Sequence, residues 1–241
     1  MISPPSFPDT VHVANGCFIS AFNYLTRYTA AYPAERGECA AVLLPNVDGS
    51  LRPHSLAVIS WHGRWWVRDE YYGVFQLEAS ARAPWLDRQL IQRVEAVFPQ
   101  RAARAGDVER RWAEQRSVKH LTGESALAWR LDQLAQAKRL VPMPSEIHWC
   151  QTSAGELPFL FFRMQADDFG VYDPTIGTAT ASSLERDADK LVAAVARRMG
   201  YVPFSVRTGT VREQTVTAGF EPAARDGRRC TPEFGAKQSH A

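Results

Sequence analysis

The sequence predicts an α+β fold: an N-terminal helix carrying a cysteine, packed on an antiparallel sheet, then a helical insert and a second strand pair. Three observations predict it. Phe18, Ala21, Phe22, Leu25 and Tyr28 recur at helical spacing directly after Gly16. Two strand-like runs, 54–61 and 64–69, are separated by His62-Gly63, a joint of hairpin length. From Pro84 to Leu140 the pattern is helical, and strand patterns return at 157–164 and 169–173.

Taken in order, residues 1–14 form an extended, Pro-rich lead. The first helix runs over 17–32 and stops at Pro33, which cannot continue it. A short apolar strand follows at 39–45, then a turn by composition at 46–50. Beyond the hairpin, helices are expected at 86–98, at about 107–120 and at 123–140, where Pro142 and Pro144 break the pattern. Ser182 or Ser183 is placed to cap a last helix through Met199, with Arg197 and Arg198 near its negative end. After Val206 the chain turns polar and Gly-rich, so 207–241 reads as a flexible tail, with one short strand near 210–217. This makes one domain over 1–206, with its helical insert at about 84–141.

Composition narrows the function classes. Apolar residues make up 45% of the chain, enough for a real core. The net charge of +2 argues neither for nor against nucleic acid, and the Arg-rich stretch 101–116 is interrupted by Asp107, Glu109 and Glu114. It reads as a solvated helix face, and no nucleic-acid partner is expected. The aromatic cluster from Trp61 to Phe75 reads as hairpin packing rather than a base-stacking surface. No apolar run approaches the roughly 18 residues that span a bilayer, and residues 1–8 lack the charge and apolar core of a signal peptide. Cys17, Cys39, Cys150 and Cys230 are scattered without a CxxC spacing, which suits a reduced, cytoplasmic protein. The closest His/Cys pair, His148 and Cys150, has no second pair to complete a metal site, so neither metal nor cofactor is expected.

Cys17 carries the chemistry. It follows Asn15-Gly16 at the start of a helix, where unpaired backbone N–H groups and the helix dipole favour a thiolate. His54 and Asp69 follow on successive strands. An imidazole can take the thiol proton, and a carboxylate can fix the imidazole's tautomer. With a two-residue turn at His62-Gly63, Trp61 opposes Arg64 and Leu56 opposes Asp69, so His54 and Asp69 share a face as diagonal neighbours. The Cys17 helix is then expected to rest its N-terminal end on that face, with Trp65 as a wall or as core. Asn15 and His12 are candidate oxyanion donors, beside the Cys17 backbone N–H itself. Cys39 and Cys150 read as core thiols.

The residues Gly16-Cys17-Phe18, the His54 strand from Pro53 to Val58, and Trp65-Trp66-Val67-Arg68-Asp69 resemble the papain-like cysteine enzyme superfamily. The spacing is that of its transglutaminase-like and arylamine N-acetyltransferase-like branches. The segment is also similar to bacteriocin-processing-type cysteine peptidases. The resemblance covers about residues 12–77. It implies a papain-like/transglutaminase-like core, with catalytic Cys17, His54 and Asp69. The implied activity is a cysteine hydrolase or acyltransferase acting on an amide, ester or thioester carbonyl through an acyl-enzyme. Its substrate would be a peptide, a protein or a small acyl compound. Two departures stand: Val11 occupies the place of the glutamine oxyanion donor of papain-type enzymes, and Glu70 rather than proline follows Asp69. The alternative is a non-catalytic interaction protein that keeps the fold.

Two further patterns bear on the site. A second set, Cys17 with His148 and Asp173, has a papain-like Cys-to-His separation. The frame Val67-x-Asp69-x-x-x-Gly73 also recurs as Val171-x-Asp173-x-x-x-Gly177, each downstream of a helix opening after glycine, at Gly16 and Gly123. It reads either as a degenerate second repeat over 121–206 or as two unrelated hairpins with like turns. In that second copy Glu124 falls near the Cys17 position and Pro158 near that of His54.

Overall fold

The computed structural model describes residues 2–7, 13–45, 51–70, 73–78, 88–104, 123–165, 168–182 and 187–209. These form a mixed α+β structure of four helices and two antiparallel sheets among the described residues. Helix α1 is Cys17–Ala31; Ala21, Leu25 and Tyr28 of the expected stripe are buried, but Ile19 and Tyr24 are buried with them while Phe18 and Phe22 are only half-buried, because the helix packs on two sheets rather than one. Strands β1 (Gly37–Pro45), β2 (Leu51–Trp61), β3 (Arg64–Asp69) and β4 (Gly73–Gln76) form the first sheet, in chain order. His62 and Gly63 both take positive φ, 50° and 72°, as a two-residue hairpin turn requires, and Trp61 faces Arg64. Helix α2 is Arg88–Arg104 and helix α3 is Gly123–Leu140.

The second sheet contains β5 (Ser145–Thr152), β6 (Gly155–Gln165), β7 (Asp168–Asp173), β8 (Gly177–Ser182) and β9 (Pro203–Gly209), in the order β8-β7-β6-β5-β9. Helix α4, Ala188–Arg198, precedes β9. The expected strand pair at 157–164 and 169–173 is thus the middle of a five-stranded sheet. Strand β5 escapes a search for alternation because Ile147, His148, Trp149 and Cys150 are all buried, covered on both faces. Strand β8, Gly-Thr-Ala-Thr-Ala-Ser, has small side chains and little apolar signal. The last helix starts later than Ser183. Asp187 caps it by accepting from the Asp189 N–H at 3.1 Å. Strand β9 runs past the expected tail boundary, to Gly209. The expected helix at 107–120, the turn at 46–50 and the short strand at 210–217 lie outside the described residues.

Packing makes layers. Helix α2 covers the outer face of the first sheet, where Leu90, Val94 and Phe98 meet Leu56, Val58, Trp65 and Val67. Helix α1 covers the inner face through Ala21, Tyr24, Leu25 and Tyr28 against Ala57, Ile59 and Trp66. The other side of α1 meets the second sheet: Val13 and Ile19 join Leu131, Leu134, Trp149, Leu160, Phe162 and Tyr172 in one cluster. Helix α4 closes the far face of the second sheet on Phe159, Phe169 and Val171. Each fully buried side chain of this size contributes roughly 1.5–3 kcal/mol. Helix α1 is shared by both sheets. No helix among the described residues is long and apolar enough to cross a membrane.

Candidate active site

The turn before α1 sets the position of Cys17. Asn15 has φ 53°, and the Gly16 N–H donates to the Val13 carbonyl at 3.0 Å. A Cβ at Gly16 would stand 2.9 Å from that carbonyl oxygen, so the close turn demands glycine. The Gly16 carbonyl accepts from the Ser20 N–H at 2.9 Å, which makes Cys17 the first helical residue. No side chain caps this helix, and its first turn carries no acidic residue. The first-turn N–H groups are therefore not taken up by a cap at the end where the helix dipole is positive.

His54 and Asp69 come from the open end of the first sheet. The β2–β3 ladder ends at Ala57 and Arg68, while β2 runs on to Leu51. Beyond that point β3 no longer covers β2. There the Ser55 N–H donates to the Cys17 Sγ at 3.5 Å. His54, 5% exposed, hydrogen-bonds through Nε2 to Oδ2 of Asp69, which is 1% exposed. Nδ1 is then the ring nitrogen not taken by Asp69, and Cys17 lies near enough to act on the ring electrostatically. Burial by itself disfavours a charged imidazole. The hydrogen bond to Asp69, with the negative charges of Asp69 and nearby Cys17, outweighs it and raises the His54 pKa well above the ordinary histidine value.

The structure thus brings Cys17, His54 and Asp69 together, by a route that differs from the expected one. The His54/Asp69 face belongs to α2; the His54 ring lies 5.4 Å from that of Phe98. Helix α1 lies on the opposite face, and Cys17 reaches His54 past the end of β3, where the sheet is open. Trp65 is core packing against α2 rather than a wall of the site. The Asn15 side-chain amide donates to the Pro174 carbonyl at 2.7 Å. His12 lies outside the described residues.

His148 sits apart. It projects to the α4 side of the second sheet, where its Nδ1 lies 3.3 Å from Asp189 and its ring 5.3 Å from that of Phe161. Asp173 pairs with Arg130. The second candidate set is thus divided between separate partners. Burial pushes the Cys39 thiol up to about 12, with the Cys17 charge adding and a Ser55 hydrogen bond opposing. Burial also raises Cys150, which is fully enclosed. Among the described residues no group of three His, Cys, Asp or Glu side chains could hold a metal ion. Sequence reading missed Ser55, whose backbone rather than side chain meets the sulfur, and it missed the residues of the second half that grip the Cys17 turn. No protein-family model, curated protein or solved structure matches the chain.

Proposed function

We propose that this chain is a cysteine hydrolase or acyltransferase with a papain-like, transglutaminase-like core, acting on an amide, ester or thioester carbonyl. The observation that carries the reading is the placement of Cys17 at an uncapped helix start, against a buried His54 that Asp69 holds. Neither packing nor capping calls for these three residue types here.

The chemistry follows from the charges. The raised pKa keeps His54 protonated at neutral pH, and an adjacent imidazolium favours a thiolate. The thiolate adds to the substrate carbonyl, forming a C–S bond and placing negative charge on the oxygen. The first-turn N–H groups of α1 are the donors available to that oxyanion. His54 then delivers its proton to the departing amine, alcohol or thiol, and the acyl group stays on Cys17. Neutral His54 next takes a proton from water or an acceptor amine as it attacks the thioester, which restores the thiolate and imidazolium.

Iodoacetamide labelling at neutral pH, read cysteine by cysteine by mass spectrometry, tests this. Cys17 is expected to react well ahead of Cys39 and Cys150, and His54→Ala is expected to slow Cys17. Equal labelling of Cys17 in the parent and in His54→Ala would overturn the reading.

A further inference from the structure

The six elements α1, β1 to β4 and α2 are followed by α3, β5 to β8 and α4 in the same order. Each set of four strands is an antiparallel meander. In each, the first helix covers the inner face and the second helix the outer face. The turn closing the third and fourth strands pairs Asp69 with Gly73 in one and Asp173 with Gly177 in the other, at glycine φ of 74° and 88°.

The ladders give the correspondence within these units. Ala57 faces Arg68, which puts Leu56 opposite Asp69. Leu160 faces Tyr172, which puts Phe159 opposite Asp173. Ser55 therefore corresponds to Pro158, and His54 to Leu157. Counting along the sequence puts Pro158 at the His54 position; a bulge between Arg163 and Gln165 shifts it by one. The second unit thus has leucine rather than an imidazole at the His54 position, and at the position equivalent to Ser55 it has a proline without an N–H. Arg130 fills the gap. Its Nε donates to the Pro158 carbonyl at 3.1 Å and its guanidinium pairs with Asp173, all of them buried.

The same unit grips the turn that carries Cys17. Gln133 Oε1 accepts from the Ala14 N–H at 2.8 Å. The Tyr172 hydroxyl donates to the Ala14 carbonyl at 2.6 Å. The Pro174 carbonyl accepts from Asn15, and a Cβ on Gly177 would stand 3.1 Å from the Asn15 carbonyl oxygen. Asp173 shapes this turn by accepting from the Thr175 and Ile176 N–H groups at 2.8 and 3.2 Å. Val13 is held in the inner core. These contacts fall on residues 13–15, directly before Gly16 and Cys17.

We propose that residues 123–198 are a non-catalytic copy of residues 17–104 that clamps the turn bearing the nucleophile, with Gln133 and Tyr172 as positioning residues. The inference rests on the reading of Cys17 as the nucleophile. A hydroxyl and an amide carbonyl hold both backbone groups of Ala14, and a displacement of about 1 Å at a reacting atom can cost on the order of a hundredfold.

The test measures iodoacetamide labelling of Cys17 at neutral pH in the full-length chain, with thermal unfolding followed in parallel. Tyr172→Phe and Gln133→Leu are each expected to slow Cys17 by about tenfold with little change in Tm. Gln133→Glu keeps the acceptor oxygen and is expected to restore the parent rate. Parent-like Cys17 rates in folded Tyr172→Phe and Gln133→Leu would overturn the clamp. If Tyr172→Phe fails to fold, the Gln133 pair decides alone, since its side chain lies nearer the surface. His54→Ala in the same series separates the two ideas. A parent that labels no faster than His54→Ala removes the nucleophile reading and the clamp together. A His54 effect without a Tyr172 or Gln133 effect removes the clamp alone.

Discussion

Three side chains from α1, β2 and β3 meet at the open end of the first sheet, and the proposed function gives each a different job. On the proposed reading Cys17→Ala removes the atom that would form the acyl bond, so turnover of a chromogenic ester or thioester is expected to vanish. Cys17 is only partly buried, and the loss of stability should stay within about 1 kcal/mol. Activity surviving in that variant would move the nucleophile elsewhere. His54→Ala is expected to be as severe, and Asp69→Asn less so, because an orienting group can be lost with some activity remaining. The same pair gives a pH dependence of stability. The His54 pKa is raised in the folded state, so its stabilisation is complete below the unfolded histidine value, about 6.5. It is lost as pH rises through the higher folded value. The stability difference between the parent and His54→Gln, measured by urea unfolding, should shrink as pH is raised above neutral. A difference that grows over that range would refute the assigned direction.

At the scale of elements, Arg130 on α3 and Asp173 at the end of β7 are a buried charge pair in the second unit. Removing one charge strands the other. Arg130→Met should therefore cost roughly 3–5 kcal/mol in chemical denaturation. Adding Asp173→Asn to that variant removes the stranded charge and keeps the oxygen that the 174–176 turn uses, so most of the loss should return. A double variant no more stable than Arg130→Met would mean that the pair acts through packing instead. The guanidinium also lies over the Phe159 ring, 5.2 Å from its centroid, a contact that methionine keeps in part.

At the scale of the whole molecule, α1 belongs to both halves. One side packs on Ala57, Ile59 and Trp66, and the other joins Trp149, Leu160 and Phe162. The halves share that helix and the turn before it, so neither is expected to unfold alone. Tryptophan fluorescence, which samples both sheets, and far-UV circular dichroism should give coincident denaturant transitions. Two separated transitions would show that the halves are independent, and would weaken the case that the second holds Cys17 in place.

The local signals legible in the sequence were those whose physics is local. Phe18 to Tyr28 marked α1 by apolar period, Gly123–Leu140 marked α3, and His62-Gly63 set the hairpin register that puts His54 and Asp69 on one face. Strands covered on both faces or built of small residues, β5 and β8, carry no such period, and they appeared only with their neighbours. The face on which α1 would lie was also beyond the sequence. Strand parity says which residues share a face, but the choice between two apolar faces depends on what else competes for them. Here α2 takes the His54 face, through Leu90, Val94 and Phe98. Cys17 therefore meets His54 past the end of β3, at a Ser55 N–H that no side-chain pattern reveals. The Ala14 contacts to Gln133 and Tyr172 span more than a hundred residues. Sequence alone supplied the residue types for the candidate thiol site. The long-range packing decided how they meet, because contacts between distant segments depend on the shape of the assembled core and leave no periodic mark along the chain.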